Sequence, residues 1–345
     1  MEYVLVTGGA GFIGSNFVPY FVDSNPKTHL VNLDALTYAG NLDNLGEIED
    51  HQRYTFVKGD ICDRGFIEAL FKKYNFKGVI HFAAESHVDN SITNPDAFMQ
   101  TNIIGTFNLI DVAKKHWMVG PGIYKEAYKT SRFHHVSTDE VYGTLGKEGL
   151  FLEPTPYAPN SPYSASKASS DFIVRSYHHT YGMNVVTTNC SNNYGPKQHD
   201  EKLIPTIIRK ALGGEEIPIY GDGSNIRDWL YVLDHCKGIA LAYYKGTSGE
   251  TYNIGGRNER NNLYIANKVC EILDDKYPKE GSSYTDQISF VKDRAGHDFR
   301  YAIDASKIEN ELGWQADENF ETGIQKTIDW YLNRYVEKEN SSLAK

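Results

Sequence analysis

Cysteine is scarce in this sequence: the four residues among 345 are Cys62, Cys190, Cys236 and Cys270. They lie far apart and form no CxxC pair, so neither a disulfide framework nor a zinc site is indicated, and no metal is expected. The chain also lacks a run of about eighteen apolar residues, the length that a membrane span needs. No basic segment precedes the apolar run at Tyr3, so no export signal is predicted. These absences predict a cytoplasmic protein with no membrane contact.

Positive charge is also in short supply. Lys and Arg number 35 against 45 Asp and Glu, which gives a formal net charge of -10. The charges are spread along the chain without a basic stripe, so no nucleic-acid partner is expected. An anionic ligand would therefore have to be held by a local cluster of cations.

Apolar residues are present in ordinary amount, and their order predicts the fold. Strands are predicted at 3–7, 29–34, 54–60, 78–84, 133–138 and 184–189, with helices between them at 63–74, 96–116 and 161–181. Nearly continuous Val, Ile and Phe runs are typical of buried parallel strands. The alternation predicts an α/β fold with a Rossmann-type doubly wound parallel sheet. Pro19 predicts a kink or an early end of the first helix.

The order of elements changes after about residue 195. Helices are predicted at 203–212, 233–244, 263–277 and 320–335, and extended segments at 217–220 and 228–232. We therefore expect an NAD-binding Rossmann domain over residues 1–195 and a smaller, mainly substrate-binding α/β lobe over residues 196–338. A segment near residues 225–260 is expected to return to the first domain.

A glycine-rich turn follows the first predicted strand. Gly8, Gly11 and Gly14 have the GxxGxxG spacing that lets the backbone approach a pyrophosphate at a helix N-terminus. Asp34 ends the second strand, where a carboxylate can accept hydrogen bonds from ribose hydroxyls and repel a 2′-phosphate. This favours NAD over NADP as the cofactor, and Asp34 would also suit a helix cap before Leu36.

Two further strand ends could meet the same cofactor. Asp60 and Ile61 end the third strand and could receive the adenine edge, although an Asp there is more often a cap. Phe82, Ala83 and Ala84 close the fourth strand with small residues where a cofactor must pass. Either signal alone is weak evidence.

A Tyr and a Lys four residues apart lie at the start of a predicted helix. Ser161 is a capping residue and Pro162 suits the first turn, which places Tyr163 and Lys167 on one helical face. A free tyrosine has a pKa of about 10, and a nearby ammonium favours its phenolate. Tyr163 is then predicted to take a hydroxyl proton as hydride leaves for the cofactor. The alternative is an exposed helix with an unrelated Tyr and Lys, which the glycine motif makes less attractive.

Two adjacent carboxyl groups follow the strand that ends at Ser137 and Thr138. This is the sheet edge where doubly wound folds place their chemistry. Oxidising a hydroxyl needs Ser137 or Thr138 beside the tyrosine, but it has no use for Asp139 and Glu140. An acid and a base together indicate elimination of water. Solvated loop residues or helix caps would explain a random Asp-Glu pair better, and the position after Ser-Thr favours a function.

These motifs together resemble the extended short-chain dehydrogenase/reductase family, and within it the branch that dehydrates dTDP-glucose. The resemblance covers about residues 3–304. The motifs that carry it are GGAGFIG at 8–14, AAESHVD at 83–89, STDEVYG at 137–143, YSASK at 163–167, CSNNYGP at 190–196, EKLIP at 201–205 and DRAGHD at 293–298.

The resemblance implies conversion of dTDP-glucose to dTDP-4-keto-6-deoxyglucose and water, with NAD recycled. Tyr163 would take the proton of the C4 hydroxyl, Glu140 would remove the C5 proton, and Asp139 would protonate the departing C6 hydroxyl. A related dehydratase or 4-epimerase acting on a UDP- or GDP-sugar is an alternative. A non-catalytic NAD-binding sensor is another, and it would be expected to have lost Tyr163, Lys167 or the acid pair.

The resemblance also implies site residues. Adding the motif residues above, the cofactor positions are Gly8, Gly11, Phe12, Ile13, Gly14, Asp34, Ala35, Leu36, Thr37, Asp60, Ile61, Phe82, Ala83, Ala84, Ser86, Thr101, Ser137, Tyr163, Lys167 and Asn193. The substrate positions are Ser86, Thr138, Asn192, Lys202, Leu203, Pro218, Ile219, Tyr220, Arg227, Asn262, Asp293, Arg294 and His297. Lys202, Arg227 and Arg294 would supply the positive charge that a diphosphate needs. A homodimer joined through the helices at 96–116 and 161–181 is also implied.

Overall fold

The computed structural model describes residues 1–293 and 296–343, with side chains through residue 335. The strands are β1 (Glu2–Thr7), β2 (Thr28–Asp34), β3 (Tyr54–Lys58), β4 (Gly78–His81), β5 (Met118–Gly120), β6 (Ile123–Tyr124), β7 (Arg132–Thr138), β8 (Val185–Cys190), β9 (Asn192–Tyr194), β10 (Ile217–Tyr220), β11 (Ile226–Tyr231), β12 (Thr251–Ile254), β13 (Glu259–Asn261), β14 (Ile288–Val291) and β15 (Arg300–Tyr301). The helices are α1 (Phe12–Ser24), α2 (Arg64–Tyr74), α3 (Val88–Thr93), α4 (Pro95–Phe98), α5 (Thr106–Trp117), α6 (Pro162–Tyr181), α7 (Leu203–Leu212), α8 (Val232–Lys245), α9 (Asn262–Lys276), α10 (Ser306–Leu312) and α11 (Phe320–Leu343).

Seven parallel strands form the main sheet, in the order β12-β8-β7-β4-β1-β2-β3. Apolar side chains project from both faces of the sheet. On one face α1 and α8 pack through Phe17, Phe21 and Ile239. On the other face α2, α5 and α6 pack around residues such as Ile67 and Leu109. This confirms the predicted Rossmann-type doubly wound sheet.

The second half of the chain both completes the main sheet and builds a core of its own. β12 lies parallel to β8, with Thr251 opposite Thr187 and Ile254 opposite Cys190. A separate core forms between α7, α9 and α11. Small sheets flank that core, one pairing β10 with β14 and one joining β13, β11 and β15, with β9 beside β11. No helix in the described part of the chain combines the length and apolar character that crossing a lipid bilayer requires.

Pro19 does not end the first helix, so of the two outcomes expected there, a kink or an early end, the early end is wrong. α1 continues through Pro19 to Ser24. A proline has no N–H for the carbonyl four residues before it, here that of Ser15. The Lys197 ammonium donates to this Ser15 oxygen at 3.2 Å. A side chain from a distant loop thus supplies the hydrogen bond that the proline cannot make.

The helix predicted at 96–116 is interrupted by a π-helical segment, Met99–Gly105, between α4 and α5. π-Helical turns inside helices are rare and occur mostly at functional sites. The segment buries Asn102, whose amide donates to Ser166 Oγ at 2.8 Å and to the Glu85 carbonyl at 3.0 Å. The irregular turn therefore ties α6 to the chain that follows β4.

Candidate functional site

A cleft runs along the carboxyl-terminal edge of the main sheet, where open α/β sheets bind their ligands. The loop after β1 contributes Gly8 to its wall, and the end of β2 contributes Asp34. The chain after β4 adds Phe82, the end of β7 adds Thr138, and the end of β8 adds Cys190. The strand order thus brings residues from distant parts of the sequence into one cleft.

The glycine loop brings backbone close to backbone. Gly8 has a φ of +76°, and a Cβ there would lie 2.6 Å from the Ala83 nitrogen. A Cβ on Gly14 would lie 2.3 Å from the Gly8 oxygen. α1 begins directly after Gly11, whose lack of a side chain leaves the first-turn amides open to the cleft. Such a turn at a helix N-terminus fits a dinucleotide pyrophosphate.

Asp34 holds this loop in place and lines the cleft. Its Oδ2 accepts from the Ala10 amide at 2.9 Å, and its Oδ1 accepts from the Leu36 amide at 2.8 Å. Burial raises the pKa of the Asp34 carboxyl, and the two amides oppose that rise. Each carboxylate oxygen keeps a further acceptor position, which fits a ribose hydroxyl.

Leu36 lies apart from the other predicted cofactor residues. Its side chain packs against the core on the α1 face, and its φ is +54°. It reaches the site only through its amide. The other nineteen predicted cofactor positions line the cleft.

At the other end of the cleft, α6 presents Tyr163 and Lys167 towards β7. The helix starts with a capping box in which Ser161 Oγ accepts from the Ser164 amide at 3.0 Å. Lys167 Nζ donates to the Val136 carbonyl at 2.9 Å. Burial lowers the pKa of Lys167. The ammonium is thereby fixed one helical turn from the tyrosine.

The Tyr163 hydroxyl is buried and hydrogen-bonded to the Thr138 side chain. Burial and then the charge of Glu140 raise the pKa of Tyr163 well above its ordinary value, while the Thr138 bond opposes the rise. The phenol by itself therefore holds its proton. Positive charge in the cleft would be needed to release it.

The two carboxyl groups lie on a short 3-10 helix, Asp139–Tyr142, directly after β7. Thr138 Oγ1 accepts from the Glu140 amide at 3.3 Å and so caps this turn. Asp139 is 1% exposed, and its Oδ2 has no hydrogen-bond partner among the described residues. Burial, Glu140 and Asp228 raise the pKa of Asp139 well above its ordinary range. Asp139 can thus hold a proton in a cleft that it shares with Glu140 and Tyr163.

A buried carboxylate behind Lys167 escaped the sequence analysis. Asp171 lies one turn beyond Lys167 on α6 and accepts from Ser137 Oγ and Tyr157 Oη, both at 2.9 Å. Its other oxygen lies 3.0 Å from His135 Nε2. The four-residue spacing of Tyr163, Lys167 and Asp171 is the signal that could have revealed it.

The predicted substrate positions divide into two groups. Ser86, Thr138, Asn192 and Lys202 line the cleft, and Lys202 Nζ donates to the Ser86 carbonyl at 3.2 Å. The remaining described positions are not part of that lining: Leu203, Pro218, Ile219, Tyr220, Arg227, Asn262, Asp293 and His297. Arg294 lies outside the described residues.

Contacts join several of the positions beyond the cleft. The His297 ring lies 2.6 Å from Asp293 Oδ1 and meets the Tyr220 ring edge-on at 6.4 Å. Arg227 stacks on Tyr301 at 4.3 Å. Ile219 is 1% exposed and belongs to the second-lobe core, so its side chain cannot contact a ligand in this structure.

Comparison with known proteins identifies the family. The model of the GDP-mannose 4,6 dehydratase family matches residues 5–327. The chain belongs to this family. A dTDP-glucose 4,6-dehydratase from Xanthomonas campestris pv. campestris (strain B100) is 55% identical over 329 residues, covering 95% of this chain and 92% of that protein.

Solved structures agree with this assignment to the GDP-mannose 4,6 dehydratase family. A dTDP-glucose 4,6-dehydratase from Bacillus anthracis, in complex with NAD, has a TM-score of 0.85 and 45% identity, covering 97% of this chain and 98% of that one. A UDP-glucose 4-epimerase from Thermotoga maritima has a TM-score of 0.83 but 27% identity, covering 96% and 99%. The resemblance read from the motifs is therefore confirmed.

Further cleft residues of this GDP-mannose 4,6 dehydratase family member were not predicted. They are Leu33, Ala39, Gly40, Gly59, Val136, Cys190, Ser191, Gln198, His199 and Glu201. Cys190, Ser191 and Glu201 stand inside the motifs that carry the resemblance. No spacing or charge pattern singles out the rest, because they reach the cleft only through the fold.

Proposed function

We propose that this chain is an NAD-dependent hydro-lyase that converts dTDP-glucose to dTDP-4-keto-6-deoxyglucose and water, a step of deoxysugar biosynthesis. The observation that carries the proposal is the presence of Asp139, Glu140 and Tyr163 in one cleft beside the glycine loop. A dehydrogenase or a 4-epimerase needs the tyrosine but not the acid pair. The names of the relatives that share about half of their residues with this chain support the same substrate.

The chain's own residues would handle the protons. Bound NAD supplies the redox chemistry, accepting hydride from C4 of the sugar and returning one to C6. Tyr163 takes the proton of the C4 hydroxyl, with Lys167 and Thr138 favouring its phenolate form. The 4-ketone makes the C5 hydrogen acidic, and Glu140 removes it as a proton and returns a proton to C5 when C6 receives its hydride. Asp139, kept protonated by burial, delivers its proton to the C6 hydroxyl as water leaves.

The glycine loop and Asp34 would hold the cofactor, and cations beyond the sugar would hold the diphosphate. Lys202 lines the cleft, and Arg227 lies close enough to Asp139 to lower its pKa. Both can pair with phosphate oxygens in an otherwise acidic protein. The remaining cofactor and substrate positions listed from the resemblance are proposed for the same roles, except Ile219.

The proposed function is tested by incubating purified protein, without added cofactor, with dTDP-glucose, UDP-glucose and GDP-mannose. We expect loss of one water from dTDP-glucose, read by mass spectrometry, because the cofactor is regenerated in each turnover. Conversion without a change in mass would point to an epimerase and overturn the proposal. Equal turnover of all three sugars would overturn the assigned nucleotide.

We also propose a homodimer that works in the cytoplasm. Ile104, Phe107 and Phe172 are 44%, 39% and 56% exposed on the π-helical segment, α5 and α6. An apolar surface of this kind on two adjacent helices suits pairing with a second copy. All four cysteines are free thiols, as expected in a reducing compartment. A monomeric mass in light scattering would end the dimer proposal.

A further inference from the structure

Three ionisable side chains follow one another at four-residue intervals on α6: Tyr163, Lys167 and Asp171. All three are at least nine-tenths buried, with Lys167 5% and Asp171 4% exposed. The proposed reaction uses the first two and leaves Asp171 without a role. A buried carboxylate is costly unless it is hydrogen-bonded or paired, so its presence here needs an explanation.

The contacts of Asp171 show which protonation state it has. Ser170 Oγ donates to the Lys167 carbonyl at 2.7 Å, so it can only accept from His135 Nε2, which lies 3.3 Å away. His135 Nδ1 has no partner among the described residues. The proton of the neutral ring therefore belongs on Nε2, from which it is donated to Asp171. With Ser137 and Tyr157, three donors point at this carboxyl group, which is the environment of an anion.

Asp171 and Lys167 stabilise each other's charge. Burial lowers the pKa of Lys167, and the charge of Asp171 opposes that fall. Burial raises the pKa of Asp171 to about 6, and Lys167 together with the Ser137 and Tyr157 hydroxyls opposes that rise. Lys167 also donates to the carbonyl of Val136, the residue between His135 and Ser137 on β7. Lys167 is thus bound to β7 at Val136, and the side chains of the two residues next to Val136, His135 and Ser137, both bind Asp171.

We propose that Asp171 is a positioning residue that keeps Lys167 protonated and fixed against β7, so that the ammonium can support the Tyr163 phenolate. The inference rests on the proposed roles of Tyr163 and Lys167. Asp171 itself touches neither substrate nor cofactor in this assignment. Other titratable groups interact electrostatically with one or more of these three side chains, and they are present in the wild type and in Asp171→Asn alike: His81, His135, Asp139, Glu140, Tyr142, Tyr157 and Cys190.

The Asp171→Asn variant tests the proposal, because it keeps the shape and removes the charge. Without the anion the pKa of Lys167 falls, so the ammonium is lost at a lower pH. We expect the alkaline limb of the kcat–pH profile to move down by about one unit, which lowers kcat on that limb about tenfold, with KM unchanged. A profile of unchanged shape, merely scaled down, would mean a structural role only and would overturn the proposal.

Tyr157→Phe gives a second test that keeps the carboxylate. Loss of this hydroxyl raises the pKa of Asp171, so its charge disappears at a higher pH as the solution is acidified. Asp171 still carries its charge on the alkaline limb, so that limb should stay where it is in the wild type, and a shift as large as that expected for Asp171→Asn would contradict the proposal. Asp111→Asn is the matched control. Asp111 on α5 accepts from Tyr177 of α6 at 3.1 Å, without contact to Lys167, and its profile should match the wild type.

A titration of the lysine separates this inference from the proposed function. The Nζ resonance of Lys167 can be followed by NMR in protein carrying isotopically labelled lysine, and Lys167→Arg identifies the signal. We expect it to titrate at lower pH in Asp171→Asn than in the wild type. Identical titrations would overturn the inference even if dTDP-glucose is converted. A shifted titration would support it even if the wild type forms no product, in which case only the proposed function fails.

Discussion

The two ends of the cleft are built by different means. At the glycine loop the wall is backbone, and Gly8 and Gly14 lie so close to neighbouring main-chain atoms that a Cβ would clash. At the junction of β7 and α6 the wall consists of buried ionisable side chains, with Asp139, Tyr163 and Lys167 facing one space. A backbone wall depends on shape alone. A mutation among the buried ionisable groups can preserve the shape of the cleft and still abolish proton transfer. Mutations at the two ends should therefore affect different properties of the protein.

The largest effect is expected at the ionisable end. Tyr163→Phe should lower product formation by about 10²- to 10⁴-fold, because a phenyl ring fills the same space but cannot accept a proton. The bound NAD content and the melting temperature should stay near wild type. Glu140→Gln should instead slow elimination and leave C4 oxidation visible as reduced nicotinamide absorbance. If both variants form product at the normal rate, the assigned roles are wrong.

A smaller effect is expected at the glycine loop, and it concerns stability and cofactor content, not proton transfer. Gly14→Ala places a Cβ 2.3 Å from the Gly8 oxygen and 2.6 Å from the Gly9 Cα, neither of which can move freely. We expect a loss of about 1–3 kcal/mol in the free energy of unfolding together with a reduced NAD content of the purified protein. Gly11→Ala is the control for stability alone, since its Cβ would meet its nearest atom at 3.4 Å but would lie in the cofactor cleft. Equal losses of unfolding free energy in both variants would contradict the close-approach argument.

The smallest effect is expected in α1, where the charged side chain of Lys197 supplies a hydrogen bond that the helix backbone lacks. Lys197→Met removes the hydrogen bond to the Ser15 carbonyl and should lower the free energy of unfolding by about 1 kcal/mol. In a Pro19→Ala background the loss should be smaller, since the new N–H can bond that carbonyl. Urea unfolding of the four proteins measures the coupling. Equal losses in both backgrounds would show that the pairing of Lys197 with Glu47, at 2.7 Å, accounts for the effect instead.

Local patterns in the sequence were enough for the fold and for most of the site. α7 and β10 begin and end at the predicted residues, because their apolar spacing is clear and Gly and Glu residues separate them. The cleft also brings together the glycine loop, the acid pair and the Tyr/Lys pair, because each follows a strand or begins a helix at the same sheet edge. Signals of this kind depend only on near neighbours along the chain.

What could not be predicted depends on contacts between distant residues. The helix continues through Pro19 because of a lysine far along the chain, and the π-helical turn at Asn102 is tied to Ser166 on another helix. Asp171 looked like an ordinary polar residue of a long helix until the fold placed His135, Ser137 and Tyr157 around it. The four-residue spacing could have singled out Asp171, but its partners, like those of Pro19 and Asn102, become known only when the neighbouring elements are known.

The position of β12 at the edge of the main sheet has a consequence for how the protein is made. Residues 251–254 complete the sheet beside β8, so the ribosome must deliver three quarters of the chain before that edge is covered. A fragment that stops at residue 195 would present β8 as an open edge, ready to pair with another chain. The two lobes therefore cannot be exchanged between proteins by a single cut and join, because the chain passes from the first to the second and back.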